Sequence, residues 1–317
     1  LDTSINMAMQ PFKMLVGDMV NEEQKGKAYS IQSFLCNAGS LIGYIFPFLF
    51  AWIGISNTAP EGEIPNTVKY AFYIGAAILI LCVLFTSVKV KEMPPKEYAA
   101  FHGIDPMSTT TQSPSMLTLL KNAPNTFWTV GLVQFFCWAA FMYMWTYTNG
   151  AIADTVWGTT DVRSDGYQTA GNWVGILFAV QAVGSMLWAT LIPVLEKRFT
   201  MKGAYAISLI VGALGFISCM FVTNQYILLV SYALIGAAWA AMLAIPFTIL
   251  TNALQGSKSM GYYLGLFNGT ICLPQIVASV LGSGFISLGI TPSGMLCVAG
   301  ILLLLGAVSV VFIKEKH

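Results

Sequence analysis

Three polar side chains near the start of the chain, Asp2, Asn6 and Lys13, could do chemistry that the apolar residues around them cannot. On an α-helix, Asp2 and Lys13 lie within about 20° of each other and roughly 16 Å apart along the axis, with Asn6 close to the same line. A charge at membrane depth is costly unless it faces protein or water, so these groups are predicted to face a wet interior. The alternative is that Asp2 and Lys13 reach the interface or pair with neighbouring helices and only support packing.

The composition indicates a membrane protein. Of the 317 residues, 56% are hydrophobic and 9% are charged, and the mean hydropathy is +0.70. A soluble domain usually carries about 25% charged residues. Since lipid offers no partners for free backbone groups, the long apolar runs predict helices. We therefore expect an all-α membrane protein in a lipid bilayer.

Nine apolar stretches each have the length of about 20 residues that a crossing requires. They lie at 1–20, 28–54, 67–88, 126–151, 168–194, 203–223, 226–252, 260–286 and 291–313. The long loop at 89–125 separates three spans from six. This spacing predicts the remainder of an N-terminal half at 1–88, a linker at 89–125 and a six-helix half at 126–317, in a twelve-helix protein whose first three helices this chain lacks.

The basic residues predict the orientation of the spans. If nine spans alternate, twelve Lys and Arg residues fall on the side that holds the linker and the C-terminus, against Arg163 and Lys69 on the other side. Cytoplasmic loops are enriched in Lys and Arg. We expect a cytoplasmic C-terminus and a multi-pass protein of the cell membrane, with short loops typical of a bacterial inner membrane.

The opening stretch LDTSINMAMQPFKMLVGD resembles the fourth helix of the sucrose/proton symporters and their relatives in the major facilitator superfamily. The shared pattern is met by Leu1, Asp2, Asn6, Pro11, Lys13 and Asp18. AIPFTIL at 244–250 and GYYLGLFNGTICLPQIVAS at 261–279 resemble the tenth and eleventh helices of that family, and QFFCWAAF at 134–141 resembles the start of the seventh. The resemblance extends over essentially the whole chain.

The resemblance implies a major facilitator fold, in which two helical halves surround a central solute site. It implies that Asp2 is the carboxylate linked with proton coupling, and that Lys13 replaces an arginine linked with sugar transport. Lysine lacks the planar, two-pronged donor of arginine. At 148–155 the charged cluster of the plant members is reduced to Asp154, where they carry a basic residue. The implied function is proton-coupled symport of a disaccharide or related glycoside by alternating access.

The span at 126–151 adds its own support for a sugar site. Its polar and aromatic residues recur at helical spacing on one face: Gln134, Trp138, Phe141, Trp145, Thr148 and Asn149. A sugar has hydroxyls at its edge and apolar C–H faces, so amides beside aromatic rings suit it. We predict Gln134, Trp138 and Phe141 as substrate-binding residues. The alternative is that these rings pack against neighbouring helices or lie at the membrane interface.

Other amides recur on single helix faces and are predicted, with Asn6 and Lys13, to bind substrate: Asn37, Asn268 and Gln275. Buried amides can instead join helices through hydrogen bonds. The pairs Gly39/Gly43 and Gly265/Gly269 have the small-xxx-small spacing and are predicted to allow close helix packing.

Other function classes receive less support. We find no protease, hydrolase or nucleotide-binding motif, so no enzyme is expected. The six cysteines lie singly in apolar runs, so neither a metal site nor a cofactor is expected. With a net charge of +1, nucleic-acid binding is not expected either. The partners expected for this monomer are a small-molecule sugar and a proton. A sodium-coupled glycoside, pentoside or hexuronide symporter and a nontransporting sugar sensor are the alternatives.

Overall fold

The structure is a computed structural model that describes residues 22–56, 63–91, 115–254 and 260–314, together with the single positions 12, 15, 19, 20, 94 and 97. In these residues every regular element is a helix. In chain order they are α1 (Glu22–Trp52), α2 (Asn66–Lys89), α3 (Met116–Lys121), α4 (Asn125–Trp157), α5 (Asp165–Ser218), α6 (Ile227–Ala253), α7 (Met260–Phe267), α8 (Gly269–Ser287) and α9 (Pro292–Ser309), after which Val310–Phe312 form one 3₁₀ turn.

Helix α5 consists of two spans joined at a sharp kink. Thr200 alone leaves helical geometry, with φ 66° and ψ 166°. Positive φ is uncommon for a residue with a branched side chain. The Thr200 hydroxyl accepts a hydrogen bond from the N–H of Gly203 at 3.4 Å, which helps to start the second span. After the kink the two spans lie alongside each other, as shown by the hydrogen bond that Trp188 Nε1 donates to Ser208 Oγ at 2.9 Å.

Six helical stretches of the described chain are long and apolar enough to cross a membrane, counting kinked α5 as one. They are Asn66–Lys89, Asn125–Trp157, Asp165–Ser218, Ile227–Ala253, Gly261–Ser287 and Pro292–Phe312. Within α1 the apolar part, Phe34–Phe50, is shorter. The predicted all-α membrane fold is confirmed. The predicted span at 1–20 lies outside the described residues, as does most of the linker at 89–125.

Local chemistry explains where several helices begin and end. Pro124 precedes the first turn of α4, and Gly158 ends that helix in the left-handed conformation at φ 64°, which glycine adopts without steric cost. The Ser164 hydroxyl accepts from the N–H of Tyr167 at the start of α5. Thr291 does the same for Gly294 at the start of α9, and such caps satisfy backbone donors that the first turn leaves free.

By their contacts the described residues separate into two compact units. One contains Val20–Ile45 and Pro124–His317, and the other contains Phe46–Ala123. The larger unit holds the core, whose fully buried large side chains lie mainly on α4, α5 and α6. These three helices position the residues discussed below.

Glycines bring α5 and α6 into backbone contact. A Cβ added to Gly184 would lie 2.5 Å from the carbonyl oxygen of Ala233, and one added to Gly236 would meet the carbonyl oxygen of Gln181. Neither site has room for a side chain, because the obstacle is backbone. This contact locks the first span of α5 to α6.

The glycine pairs predicted for close packing meet no neighbour among the described residues. A Cβ on Gly39, Gly43, Gly265 or Gly269 would have no described residue within 4 Å, so close packing at these pairs stays a prediction. The close approach that the described helices show is at Gly184 and Gly236, one glycine on each of two crossing helices.

Candidate functional site

Gln134 lies in the first third of α4 and is fully buried. Its Nε2 donates to the carbonyl oxygen of Met242 at 3.3 Å, and its Oε1 accepts from the hydroxyl of Tyr205 at 3.3 Å. Pro246, inside α6, has no N–H with which to occupy the carbonyl four residues earlier, which is that of Met242. The amide of Gln134 supplies the missing donor and thereby joins α4, α5 and α6.

A second polar contact between α4 and α6 lies further along α4 and nearer the start of α6, as expected for antiparallel helices. The hydroxyls of Thr148 and Tyr232 are 2.8 Å apart, and the Thr148 hydroxyl also donates to the carbonyl of Met144 at 2.6 Å. Both side chains are buried. Thr148 and Gln134 thus mark the two ends of the predicted face, and at each end the polar group bonds to a neighbouring helix.

Between these two contacts lies a group of four rings, the four-ring cluster, made of Trp138, Phe141 and Trp145 of α4 and Trp239 of α6. The Trp239 centroid is 5.8 Å from that of Trp138, 4.9 Å from Phe141 and 5.7 Å from Trp145. These distances are typical of edge-to-face and tilted aromatic pairs. Phe141 is fully buried, Trp138 is 9% exposed and Trp145 is 40% exposed. The cluster therefore runs from the core to the surface of α4.

Trp239 was not predicted, although it contacts every other ring of the cluster. Its helix is apolar on almost all sides, with small residues around the ring in IGAAWAAM. A single tryptophan in such a stretch gives no periodic signal. The run of small residues beside it was the one available sign, because it lets a large ring from another helix come close.

Several buried polar atoms of the larger unit have no hydrogen-bond partner in the structure. They are Gln32 Nε2, Trp138 Nε1, Asn149 Oδ1, Ser185 Oγ and Asn268 Oδ1. An unpaired buried polar atom costs about 1–3 kcal/mol. Two of them, on Trp138 and Asn149, belong to the predicted face of α4, and Asn268 was predicted as a substrate ligand.

Asn268 lies between α7 and α8 and keeps helical backbone angles, φ −60° and ψ −25°. Its N–H bonds to the carbonyl of Gly265, three residues back, at 3.2 Å, so the helix tightens at this residue and continues. Pro274, inside α8, lacks an N–H and leaves the carbonyl four residues earlier without its helical donor. Gln275 follows on α8 and is partly exposed. Asn268 and Gln275 therefore lie along one continuous span, Gly261–Ser287.

The remaining predicted residues divide into one that is described and three that are not. Asn37 of α1 is 3% exposed, and on the same helix the ring of Tyr44 lies 5.6 Å from that of Phe178 in α5. Asp2, Asn6 and Lys13 lie outside the described residues. Among the side chains whose burial the structure describes, no Asp, Glu, Lys or Arg is buried, and the described residues contain no group of three metal-binding side chains.

Comparison with known families identifies the fold. The family profile described as Major Facilitator Superfamily matches residues 5–201. The chain belongs to the Major Facilitator Superfamily. None of the curated proteins matches the chain.

Membership in the Major Facilitator Superfamily makes this chain a membrane transporter that acts on a small molecule in a lipid bilayer. It leaves open the substrate and the coupling ion. Within this fold, two features of the larger unit are suited to binding a solute: the exposed surface of the four-ring cluster and the unpaired side-chain oxygen of Asn268.

Proposed function

We propose that the protein is a proton-coupled symporter of a disaccharide or related glycoside, which it carries across the cell membrane by alternating access. Family membership supports the transport reaction. The four-ring cluster supports a sugar as the substrate. The likeness of the opening stretch to the sucrose/proton symporters supports a proton as the coupling ion.

The single observation that carries the sugar is the partial exposure of the four-ring cluster. Trp145 is 40% exposed, and its indole presents a flat apolar surface beside the unpaired Nε1 of Trp138. The C–H face of a pyranose stacks on such a ring while its hydroxyls need donors and acceptors nearby. The rings meet at interplanar angles of 46–85°, so the exposed face of Trp145 serves as the platform and the other three rings hold it in place.

Removing the exposed ring tests the sugar. In cells that express the protein, Trp145→Leu should lower the uptake of radiolabelled sucrose or maltose about tenfold, because the stacking surface is lost. Trp128→Leu is the matched control, since Trp128 is 52% exposed on the same helix but outside the cluster. Equal uptake by both variants, or no uptake of any glycoside by the unmodified protein, would refute the sugar assignment.

The coupling ion is proposed to be a proton taken up by Asp2. A protonated carboxylate is neutral, so the loaded carrier could reorient without moving an unpaired charge through lipid. Asn6 and Lys13, together with Asn37, Asn268 and Gln275, are proposed as polar partners of the sugar. Gln134 and Phe141 remain proposed substrate residues, although the hydrogen bonds of Gln134 and the burial of Phe141 fit a supporting position behind the platform.

Replacing Asp2 tests the coupling. Asp2→Asn should abolish the alkalinisation of the medium that accompanies sugar uptake, because the amide takes up no proton. In the unmodified protein, sugar uptake should not respond to a sodium gradient imposed at constant pH. Full alkalinisation in the variant would remove Asp2 from this role, and uptake driven by sodium at constant pH would establish the sodium-coupled alternative.

The basic residues support a cytoplasmic C-terminus. A reporter that is active only in the cytoplasm, fused after His317, should therefore be active. If a reporter that is active only in the periplasm were active at the same position, the predicted orientation of the C-terminus would be wrong.

A further inference from the structure

The indole N–H of Trp138 is an orphan donor. The side chain is 9% exposed, and its Nε1 is buried without a hydrogen-bond acceptor. Two other tryptophans of the larger unit find acceptors: Trp173 Nε1 donates to the Gln225 carbonyl at 3.2 Å, and Trp188 Nε1 donates to Ser208 Oγ at 2.9 Å. Buried polar groups without a partner are rare enough in folded proteins that each needs a reason.

The neighbours of Trp138 explain why the donor has no partner in this conformation. Its ring contacts those of Trp145, at 6.4 Å, and Trp239, at 5.8 Å. An indole side chain has a donor and no acceptor lone pair. Around Trp138 the cluster therefore provides apolar surface and no strong acceptor, so an acceptor must come from outside the cluster.

Trp145 is the ring of the cluster that can move most easily. It is 40% exposed, so one side of the ring is free of protein contacts, whereas Phe141 is fully buried. Exposed side chains change rotamer within nanoseconds. A rotation of Trp145 would open one side of Trp138 to a molecule bound on the platform.

We propose that the indole N–H of Trp138 is the hydrogen-bond donor that binds an acceptor oxygen of the transported glycoside, in a loaded state in which the ring of Trp145 has tilted to uncover Trp138 and stacks on the sugar. This inference rests on the proposed function, and it adds a specificity-determining atom. In the conformation described here the donor is sealed and unpaired. In the loaded state the sugar satisfies it, so substrate favours that state through a contact that the empty carrier lacks.

This role has opposite consequences for stability and for affinity. Removing the N–H while keeping the ring takes an unpaired group out of the core, so the folded protein should be as stable as before or more stable. The same change leaves a sugar oxygen without its donor, so binding should weaken. A tryptophan that only packs, or whose N–H points at a neighbouring ring face, would show no such separation.

The test replaces Trp138 by β-(3-benzothienyl)alanine, whose fused ring has a sulfur in place of the N–H. Sucrose affinity, measured by binding to the purified protein, should fall about tenfold or more, the range expected for loss of one buried hydrogen bond. The melting temperature should not fall. The same replacement at exposed Trp128 is the control and should change neither quantity, and Trp138→Phe provides a second variant that lacks the N–H.

A panel of monodeoxysucroses then identifies the acceptor oxygen. One deoxy analogue should bind the unmodified protein about tenfold more weakly than sucrose, yet bind the benzothienyl variant as well as sucrose does, because the lost contact is the same. Unchanged sucrose affinity in the variant, or the same deoxy penalties in both proteins, would overturn the inference while leaving the sugar assignment intact. If the unmodified protein binds no member of the panel and no sucrose, the proposed function and the inference both fall.

Discussion

Helices α2 and α4 are both long enough to cross a bilayer, yet the more apolar of the two is the more exposed. The most apolar window of α2 has a mean hydropathy of 2.4 and none of its residues is buried, whereas that of α4 has 1.4 and 67% of its residues are buried. Lipid is as apolar as leucine, so apolar side chains gain little by leaving it. In these two helices the buried positions are therefore distinguished by amides, hydroxyls and indoles, and the exposed positions by apolar side chains.

The largest expected difference in stability comes from adding one methyl group at a packed glycine of α5 and one at an exposed glycine of α2. Gly184→Ala should destabilise the protein by about 3 kcal/mol or more, because the new Cβ collides with the backbone of Ala233. Gly75→Ala, on α2, has no described residue within 4 Å of the new atom and should be neutral or stabilising by up to about 1 kcal/mol, since alanine favours helix. Thermal unfolding in detergent measures both. A larger loss at Gly75 than at Gly184 would mean that α2 is the packed helix, and the contrast would fail.

A smaller effect is expected from the buried amide of α4. Gln134→Leu should destabilise by about 1–3 kcal/mol, because the Met242 carbonyl and the Tyr205 hydroxyl both lose their partner. Gln168→Leu is the control: that side chain is exposed and donates only to the Val162 carbonyl, at 3.3 Å, so its loss should stay within about 0.5 kcal/mol. Chemical denaturation of both variants gives the difference. Equal stability of the two would show that the interior of α4 does not depend on its amide.

The smallest effect separates two threonines. Thr148→Val removes a hydrogen bond between helices, to Tyr232, and should cost about 1 kcal/mol. Thr86→Val on α2 removes only a bond from Thr86 to the carbonyl of Cys82 in the same helix, at 2.9 Å, and should be close to neutral. Melting temperatures measured side by side are sufficient. A loss at Thr86 that matches the loss at Thr148 would contradict the exposure of α2.

Most helices could be predicted from the sequence because a bilayer requires each membrane-spanning helix to be about 20 residues long. The spans predicted at 126–151 and 226–252 correspond to Asn125–Trp157 and Ile227–Ala253. The ends were less predictable, since α4 continues for more than a turn past its apolar run, up to Gly158. The tightened turn at Asn268, whose N–H bonds three residues back, was not predicted either, because Asn268 lies within one continuous apolar stretch.

For the candidate site, the sequence predicted which residues share a face of one helix, but not which helices bring their faces together. Helical spacing placed Gln134, Trp138 and Phe141 on one face of α4, and in the structure the rings of Trp138 and Phe141 both contact Trp145 and Trp239. Spacing could not show that Trp239 joins them, because that depends on how α4 and α6 cross. The sequence does show that Pro246 frees the carbonyl of Met242, but not that Gln134 would be the residue to occupy it.

The turn at Thr200 ties the orientations of two spans together. Only one residue separates the two spans of α5, and their side chains meet through Trp188 and Ser208. A connection this short keeps the adjoining ends of both spans on the same side of the bilayer, so the orientation of one span fixes that of the other.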